Sequence, residues 1–201
     1  MSAESSDKMY YIIIKTIIDY IAAVILLVIL SPLFLAISIV IALDSKGPVI
    51  YTQERLGKDG RCYMMYKFRS MCEDAEKDGA QWADEDDPRV TKVGRFLRKK
   101  RLDELPQLIN VLRHEMSFVG PRPERSIFHL EFAKTIPDWD KRLAVLPGIT
   151  GFAQVSGGYD LSPAEKIVYD LAYIEKRCLR LDVIIVLRTF KVMFLSHEGA
   201  R

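Results

Sequence analysis

The chain has 201 residues, a length that suits one domain with at most one appended element. Hydrophobic residues make up 49% and charged residues 28%, as in a globular protein with one unusually apolar segment. The formal net charge of +2 is too small to indicate nucleic-acid binding, although an acidic run at 74–87 precedes a basic run at 89–101. Cys62, Cys72 and Cys178 form no CxxC pair and no metal-binding spacing, which indicates reduced thiols facing the cytoplasm.

The first predicted element is the apolar segment from Tyr10 to Leu43, interrupted by Lys15, Asp19 and the pair Ser31-Pro32. It could cross a bilayer, for which about 20 apolar residues suffice. Pro32 removes a helix hydrogen bond and crowds the preceding turn, and the Ser31 hydroxyl can bind a carbonyl freed in this way. Two alternatives follow: a kinked transmembrane helix, which these residues alone favour, or a helix that enters and leaves on one face.

A β-hairpin is predicted next, from the β-like stretches Val49–Gln53 and Cys62–Phe68 and the turn residues Gly57–Gly60 between them. Lys67 and Arg69 place two cations at the end of this hairpin. Phosphate binding and ordinary strand-edge charge explain these two cations equally well. The acidic stretch that follows, residues 73–89, is predicted to form a loop with at most a short helix.

The stretch from Arg95 to Gln107 carries five cations followed directly by Asp103 and Glu104. The apolar spacing predicts a helix from Leu105 to about Arg113, because a proline such as Pro106 is tolerated in a first turn. The two carboxylates should lie beside the helix N-terminus, where free N–H groups and the macrodipole favour negative charge. Ringed by cations, such a site can share a phosphate. The alternative, which these residues alone favour, is an N-capping Asp beside a solvated basic face.

Arg122 stands between two prolines, so its guanidinium has little freedom to lose on binding a phosphate. The alternative is a proline-rich corner with an exposed arginine. The final helix, predicted from Asp182 to about Leu195, mixes apolar residues with Arg188 and Lys191. That mixture suits a helix in a membrane interface and a core helix equally. The other predicted helices cover 124–134 and 139–146, and one more opens at the capping sequence Ser162-Pro163-Ala164-Glu165.

The order of these motifs closely resembles that of the bacterial sugar transferases, the monotopic phosphoglycosyl transferase superfamily. The resemblance covers nearly the whole chain, roughly from residue 10 to 195, and looks like the small, minimal form that lacks the four-helix membrane domain of larger members. The motifs that carry it are Ser31-Pro32, Lys67-Phe68-Arg69-Ser70-Met71, Leu102-Asp103-Glu104-Leu105-Pro106-Gln107, Ser117-Phe118-Val119-Gly120-Pro121-Arg122-Pro123 and Pro147-Gly148-Ile149-Thr150-Gly151.

The resemblance implies a mainly helical α+β fold in two parts. Residues 1–46 are expected to form a re-entrant membrane helix broken at Ser31-Pro32, which overturns the kinked transmembrane helix favoured above. Residues 47–201 are expected to form a small cytoplasmic catalytic domain with the β-hairpin and with amphipathic helices in the membrane interface. The resemblance places the protein on the cytoplasmic face of the bacterial inner (plasma) membrane, and a homodimer is a further candidate assembly.

The resemblance also implies a reaction: transfer of a sugar 1-phosphate from a UDP-sugar to a polyprenyl phosphate, usually undecaprenyl phosphate, with release of UMP. The product would begin a cell-surface glycan. Asp103 matches the nucleophile, which forms a covalent phosphosugar–aspartyl intermediate. Glu104 matches its partner, which helps to hold the required Mg²⁺ with Asp103 and assists proton transfer from the acceptor phosphate.

The expected substrate-binding residues are Lys67, Arg69, Arg98, Arg122, Gln154 and Asp170. Ser156-Gly157-Gly158 stands where some members carry Asn-Gly-Arg, so no member's sugar preference is transferred to this chain. A different class of function is a membrane-anchored scaffold or regulator of glycan assembly without catalysis. The intact Asp103-Glu104 pair and the cations around it favour the transferase.

Overall fold

The computed structural model describes residues 3–77, 79, 81, 87–157 and 161–195. These residues form a mainly helical α+β structure, which confirms the predicted fold class at that level. The helices are α1 (Ala3–Asp44), α2 (Lys92–Lys99), α3 (Gln107–Leu112), α4 (Ser126–Thr135), α5 (Phe152–Ser156), α6 (Pro163–Lys176) and α7 (Leu179–Leu195). The strands are β1 (Ile50–Leu56), β2 (Cys62–Phe68), β3 (Ser117–Val119) and β4 (Gly148–Thr150), and 3₁₀ turns occur at Lys58–Gly60, Leu102–Glu104 and Trp139–Ala144.

Helix α1 continues through Ser31 and Pro32, so the predicted break in the helix at this pair is not observed. The reason lies in the hydrogen bonding. Pro32 has no N–H for the carbonyl four residues earlier, that of Val28, and the Ser31 hydroxyl donates to this carbonyl at 2.8 Å. The helix therefore keeps a donor at the position where proline removes one, as the sequence predicted for the Ser31 side chain.

Helix α1 lies against the rest of the protein along most of its length. Ala23, in its first half, packs in a core cluster with Met65 and Leu108. Ile37 and Ile41, in its second half, pack in another cluster with Phe68 and Leu97. Helix α1 is long and apolar enough, from Lys8 to Asp44, to cross a membrane. Large apolar side chains cover its outer surface, among them Tyr10, Ile13, Ile17, Tyr20, Ile21, Val24, Val28, Ile29, Leu35, Ile39 and Leu43.

A buried polar network joins the first half of α1 to α6, α7 and β3. Asp182 of α7 is its centre: it accepts hydrogen bonds from Tyr11 at 2.9 Å and Tyr173 at 2.8 Å and pairs with Lys15 at 3.1 Å. Ser117 of β3 donates to Asp19 at 2.6 Å. The polar interruptions of the apolar segment are therefore paired inside the protein. We call these six residues, Tyr11, Lys15, Asp19, Ser117, Tyr173 and Asp182, the Asp182 network.

The predicted hairpin is confirmed: β1 and β2 pair in antiparallel register, with Tyr51 opposite Lys67 and Gln53 opposite Met65. Side chains at alternate positions share a face, so Tyr51, Gln53 and Lys67 all point toward the same side of the hairpin. Tyr63 and Met65 on this face are buried against α3. The hairpin therefore offers one face to the interior, and Lys67 lies at its end.

A second, parallel pair of strands, β3 and β4, was not predicted. It pairs Ser117 with Gly148 and Val119 with Thr150. The hydrogen bond from Gly148 N to Pro121 O, 2.9 Å, extends the pairing beyond β3. The pair matters because it brings the proline-rich segment after β3 beside α5, which follows β4.

The later helices agree with the sequence in position and differ at their ends. The helix predicted for 124–134 is α4, and the one predicted for 139–146 is the shorter 3₁₀ turn Trp139–Ala144. The predicted capping box of α6 is present, with reciprocal bonds between Ser162 and Glu165. The last helix begins at Leu179, three residues before its predicted start.

Candidate active site

Asp103 and Glu104 lie in the 3₁₀ turn Leu102–Glu104, one turn before α3 rather than at its first residue. Arg101, just before this turn, adopts a left-handed conformation (φ 54°), which reverses the chain after α2. Leu102 and Leu105, on either side of the carboxylates, pack into the core cluster of Phe68 and Leu97. Apolar packing therefore fixes the turn that carries the two carboxylates.

Helix α2 brings the basic stretch to the same place. Its N-cap Thr91 accepts a hydrogen bond from Gly94 N at 2.9 Å, and Thr91 N donates to Ser70 O just after β2. A side chain at Gly94 would meet the Ser70 carbonyl at 1.9 Å, so only glycine allows this close approach. This contact holds the end of β2, with Lys67, beside α2, whose last turn carries Arg98.

Glu104 is the paired carboxylate of the two. It is 7% exposed, accepts a hydrogen bond from Lys67 Nζ at 3.3 Å, and forms a bidentate contact with the Arg122 guanidinium. Burial alone would raise the pKa of Glu104, but Arg122 and Lys67 outweigh burial and hold its pKa far below the usual range. Glu104 is therefore a carboxylate at neutral pH and orients two cations.

Asp103 is equally buried but differently surrounded. Among the described residues its side chain forms no hydrogen bond or ion pair, and it lines a cavity. Burial raises the pKa of Asp103, an effect opposed by the nearby positive charges of Lys67 and Arg98. An unpaired carboxylate with a raised pKa is a stronger nucleophile than one held in salt bridges, so the geometry favours Asp103 over Glu104 as the reacting group.

The cavity has a volume of about 600 Å³, within the range of roughly 300–1,000 Å³ typical of small-molecule sites. Five cations line it close to the two carboxylates: Arg55, Lys67, Arg98, Arg101 and Arg122. The Nε of Arg55 is buried and has no hydrogen-bond partner among the described residues. A buried donor without an acceptor is costly, so this nitrogen adds to the uncompensated positive character of the cavity wall.

The remaining predicted site residues take different places. Gln154 lines the cavity; its Nε2 donates to Ile149 O at 3.1 Å, and its buried Oε1 has no partner among the described residues. Arg69 also lines the cavity, but its guanidinium donates to the carbonyls of Ser45 and Lys46, each at 2.7 Å, and so holds the end of α1. Gly158, where the expected arginine is replaced, lies outside the described residues.

Asp170 acts through an arginine that the sequence did not single out. Arg142, 4% exposed, donates to Asp170 at 2.7 and 3.1 Å and to the backbone carbonyl of Arg122 at 2.9 Å. Its guanidinium also lies over the Trp139 ring, 4.3 Å from the centroid. This set holds the backbone that carries Arg122. Lys166 and Arg55, which also line the cavity, were missed because neither belongs to a local motif.

A magnesium ion would find a limited set of protein ligands here. Among the described residues no group of three or more His, Cys, Asp or Glu side chains lies close enough to hold a metal. Mg²⁺ commonly binds one or two carboxylates together with substrate phosphates and water. The Asp103 carboxylate fits that pattern, and the Glu104 carboxylate can add a ligand besides its salt bridges with Lys67 and Arg122. The residues present are therefore compatible with a metal that arrives with a phosphorylated substrate.

The sequence matches a known family over almost its full length: the profile described as "Bacterial sugar transferase" covers residues 10–196. The chain belongs to the bacterial sugar transferase family. An Aeromonas hydrophila relative named UDP-N-acetylgalactosamine-undecaprenyl-phosphate N-acetylgalactosaminephosphotransferase is 47% identical over 95% of this chain and 46% of its own length. A Xanthomonas campestris UDP-glucose:undecaprenyl-phosphate glucose-1-phosphate transferase is 44% identical over 92% of this chain and 40% of its own.

A third relative, from Bacillus subtilis, is named provisionally as an undecaprenyl-phosphate N-acetylgalactosaminyl 1-phosphate transferase. It is 52% identical over 66% of this chain and 74% of its own length. The chain therefore spans less than half of the Aeromonas and Xanthomonas relatives and about three quarters of the Bacillus relative. The family membership confirms the predicted resemblance; what the relatives' names state about substrates applies to those proteins.

Proposed function

We propose that this protein transfers a sugar 1-phosphate from a UDP-sugar to undecaprenyl phosphate, with release of UMP. The observation that carries the proposal is the contrast between two adjacent buried carboxylates. Glu104 is held by Lys67 and Arg122, whereas Asp103 lines the cation-rich cavity and has no hydrogen bond or ion pair among the described residues. A diphosphate fits such a cavity because each of its oxygens can face an Arg or Lys donor. The names of the family members support the same reaction.

The chemistry proceeds in two displacements at phosphorus. A carboxylate oxygen of Asp103 attacks the β-phosphorus of the UDP-sugar, and the bond from this phosphorus to the bridging oxygen breaks, so UMP leaves with that oxygen. A phosphate oxygen of the polyprenyl phosphate then attacks the phosphorus held by Asp103. The carboxylate is regenerated and the product is a polyprenyl-diphosphate-linked sugar.

The cations have distinct duties in this scheme. Arg122, fixed by Glu104 and by Arg142 behind it, would bind phosphate oxygens in one orientation. Lys67, paired to Glu104, would add a second positive charge where negative charge accumulates. The low pKa of Glu104 makes it a weak proton acceptor, so its contacts favour a positioning role over proton transfer. Bound Mg²⁺ would supply further neutralisation of the phosphate charge next to Asp103.

N-acetylgalactosamine is the first sugar to test. The two relatives with 47% and 52% identity carry this sugar in their names, and the Xanthomonas relative, whose name carries glucose, has 44%. The experiment is incubation of the purified protein with Mg²⁺, undecaprenyl phosphate and each of UDP-N-acetylgalactosamine, UDP-glucose and UDP-galactose, with UMP as the readout. No UMP from any common UDP-sugar would favour the non-catalytic scaffold.

We also propose that α1 enters the membrane from the cytoplasmic side and does not cross it. Its two halves contact the same globular body, through Ala23 in the first and Ile41 in the second, and Tyr11 near its start bonds to Asp182. A helix that crossed a bilayer would need about 30 Å of its length free of that body. Exposed Val183, Leu187 and Phe190 on α7 would share the interface.

Cysteine labelling tests this topology. In a variant without the native cysteines, single cysteines are placed near residue 3 and near residue 46, and a membrane-impermeant reagent is added to intact cells. We expect labelling of neither site until the cells are opened. Labelling of the first site in intact cells would show a transmembrane helix.

A further inference from the structure

The cavity extends beyond the two carboxylates to a second polar cluster that the proposed reaction has not yet used. The cluster is centred on Glu76, whose Oε1 accepts hydrogen bonds from Tyr51 at 2.9 Å, Gln53 at 3.0 Å and Arg125 at 2.8 Å. Its Oε2 accepts one bond, from Arg125 at 3.2 Å, among the described residues. We call Tyr51, Gln53, Glu76, Arg125 and Phe128 the Glu76 cluster; all five line the cavity.

Two pieces of backbone tie this cluster to the candidate catalytic carboxylates. Tyr51 and Lys67 are directly opposed in the hairpin, and Lys67 binds Glu104 while Tyr51 binds Glu76. Arg122 and Arg125 are three residues apart, and they bind Glu104 and Glu76 respectively. Three extended residues span at most about 10 Å. The Glu76 cluster therefore lies about one nucleoside's reach from the cations that would hold the diphosphate.

The chemistry of the cluster differs from that of the other end of the cavity. Of the described residues lining the cavity, the aromatic ones are Tyr51, Phe68 and Phe128, and Phe68 is buried in the core at 1% exposed. The two rings that line the cavity outside the core thus belong to the Glu76 cluster, and the planar Arg125 guanidinium lies 6.0 Å from the Phe128 ring centroid. Nucleobases stack on aromatic rings and on arginine planes.

The opposite end, formed by residues such as Gln154, Lys166 and Asp170, offers hydrogen-bonding groups without an aromatic ring. Gln154 lines the cavity, and its amide group carries both donors and an acceptor, the groups that bind sugar hydroxyls and amides. The two ends of the cavity are thus suited to the two different halves of a nucleotide sugar.

We propose that the Glu76 cluster is the nucleoside subsite, with the base against Phe128 and Arg125 and the ribose hydroxyls donating to Glu76 Oε2. The inference rests on the proposed function, because it assigns the two ends of the same cavity to the two ends of a UDP-sugar. It places the sugar at the Gln154 end. The Glu76 oxygen assigned to the ribose is the one with the smaller number of donors.

Direct binding to the full-length protein in nanodiscs tests the assignment, with UMP, 2′-deoxy-UMP and inorganic diphosphate as probes. Phe128→Ala should weaken UMP binding by about 5- to 150-fold, the range that loss of one base–aromatic stack gives. Phe128→Tyr should restore it. Diphosphate has no base, so its affinity should be unchanged in both variants, which also shows that they are folded.

Glu76→Gln and the deoxy probe test the ribose contact. The native protein should bind UMP more tightly than 2′-deoxy-UMP, and Glu76→Gln should reduce this difference. Gln154→Ala is the matched control at the other end: it should leave UMP binding unchanged and raise KM for the UDP-sugar. Unchanged UMP affinity in Phe128→Ala, or a raised UMP dissociation constant in Gln154→Ala, would overturn the assignment.

The outcomes separate this inference from the function on which it rests. If the native protein releases UMP from a UDP-sugar and Phe128→Ala still binds UMP normally, the subsite is wrong and the transferase stands. If the native protein releases no UMP and binds neither UMP nor diphosphate, the transferase itself is overturned.

Discussion

The protein contains two buried ionic clusters, and the difference between them separates a reactive site from a structural one. The Asp182 network contains two carboxylates and Lys15, and each carboxylate receives hydrogen bonds from hydroxyl groups. The cluster around Asp103 and Glu104 has more cations than carboxylates, with Lys67, Arg98 and Arg122 close by. Of the described residues lining the cavity, none belongs to the Asp182 network.

The comparison shows that burial of charge by itself does not indicate catalysis. In the Asp182 network the donors of the protein already satisfy the acceptors, so nothing remains for a ligand. Near Asp103, one carboxylate and one buried arginine nitrogen, Arg55 Nε, are left without protein partners among the described residues. Uncompensated positive charge beside an unpaired carboxylate is an arrangement that a phosphorylated substrate would complete.

The largest expected effect is loss of turnover in Asp103→Asn, which keeps the shape of the side chain and removes the nucleophilic charge. We expect a loss on the order of 10³-fold or more, because the neighbouring carboxylate, Glu104, is held by Lys67 and Arg122. Glu104→Gln should also slow turnover severely, yet a phosphosugar adduct should still form on Asp103. Intact-protein mass spectrometry with UDP-sugar alone, followed by peptide mapping, measures both. An adduct on Glu104, or UMP release by Asp103→Asn at the native rate, would contradict the assignment.

Asp182→Asn should have the opposite signature, with a large loss of stability and little change in chemistry. Removing one partner of a buried ion pair costs up to about 3–5 kcal/mol. Here Lys15 loses the nearer of its two carboxylates, Asp182 at 3.1 Å, and keeps Asp19 at 3.7 Å. Chemical denaturation in detergent measures the change, and kcat is measured on the folded fraction. Lys15→Met combined with Asp182→Asn should lose less than the sum of the two single changes. A fall in kcat at native stability would instead assign Asp182 to catalysis.

Elements with a local signal were predictable, and those built from distant contacts were not. The hairpin followed from alternating residues around Gly57–Gly60, and the start of α6 followed from the capping sequence at Ser162. The β3–β4 pair joins two three-residue strands far apart in the sequence, too short to produce a pattern. The persistence of α1 through Pro32 depended on a side-chain bond from Ser31, whose geometry decides between a break and a continuous helix.

The residues of the candidate site also divide into those with a local sequence signal and those without one. Asp103, Glu104 and Arg122 could be named as candidate phosphate-site residues from their neighbours, because charge and proline constraints are local properties of a sequence. Those residues alone favoured an N-capping Asp beside a solvated basic face, and the catalytic roles came from the family resemblance. Arg142 carries no such signal: its role follows from a contact with Arg122 twenty residues earlier and with Asp170 in α6. The differing surroundings of the two carboxylates also depend on which one the fold turns toward Lys67 and Arg122.

The pH dependence of UMP release should report the ionisation of Asp103. Asp103 reacts as the carboxylate and burial raises its pKa, so the acid limb of kcat/KM should lie above the ordinary Asp value of about 3.9. Lys67→Met removes a positive charge that opposes this rise, so it should move the limb to higher pH. Lys99→Met, an exposed cation on α2, is the control and should leave the limb in place.

Folding stability must be checked over the same pH range, because the two carboxylates act in opposite directions. The pKa of Glu104 is lowered, so its stabilisation is present above its ordinary pKa and is lost as pH falls through the folded value. The pKa of Asp103 is raised, so its contribution favours folding at low pH and is lost as pH rises through its folded value. The two measurements are compared in both Lys67→Met and the native protein. If the acid limb of kcat/KM coincides with the loss of folded protein in both, the limb reports unfolding and not the pKa of Asp103.

The smallest effect is a shift in melting temperature caused by an anion. Inorganic diphosphate binds the folded state, and at 100 times its dissociation constant it adds about 2.7 kcal/mol, or roughly 5–10 °C for a chain of this size. In Asp182→Asn the shift should remain, measured from the lower melting temperature of that variant without diphosphate. In Arg122→Met the shift should largely disappear, because Arg122 is among the cations that face the cavity. Sodium chloride at equal ionic strength controls for screening. Equal shifts in native protein and Arg122→Met would mean that the anion binds elsewhere. Loss of the shift in Asp182→Asn would mean that anion binding near Asp103 depends on the Asp182 network.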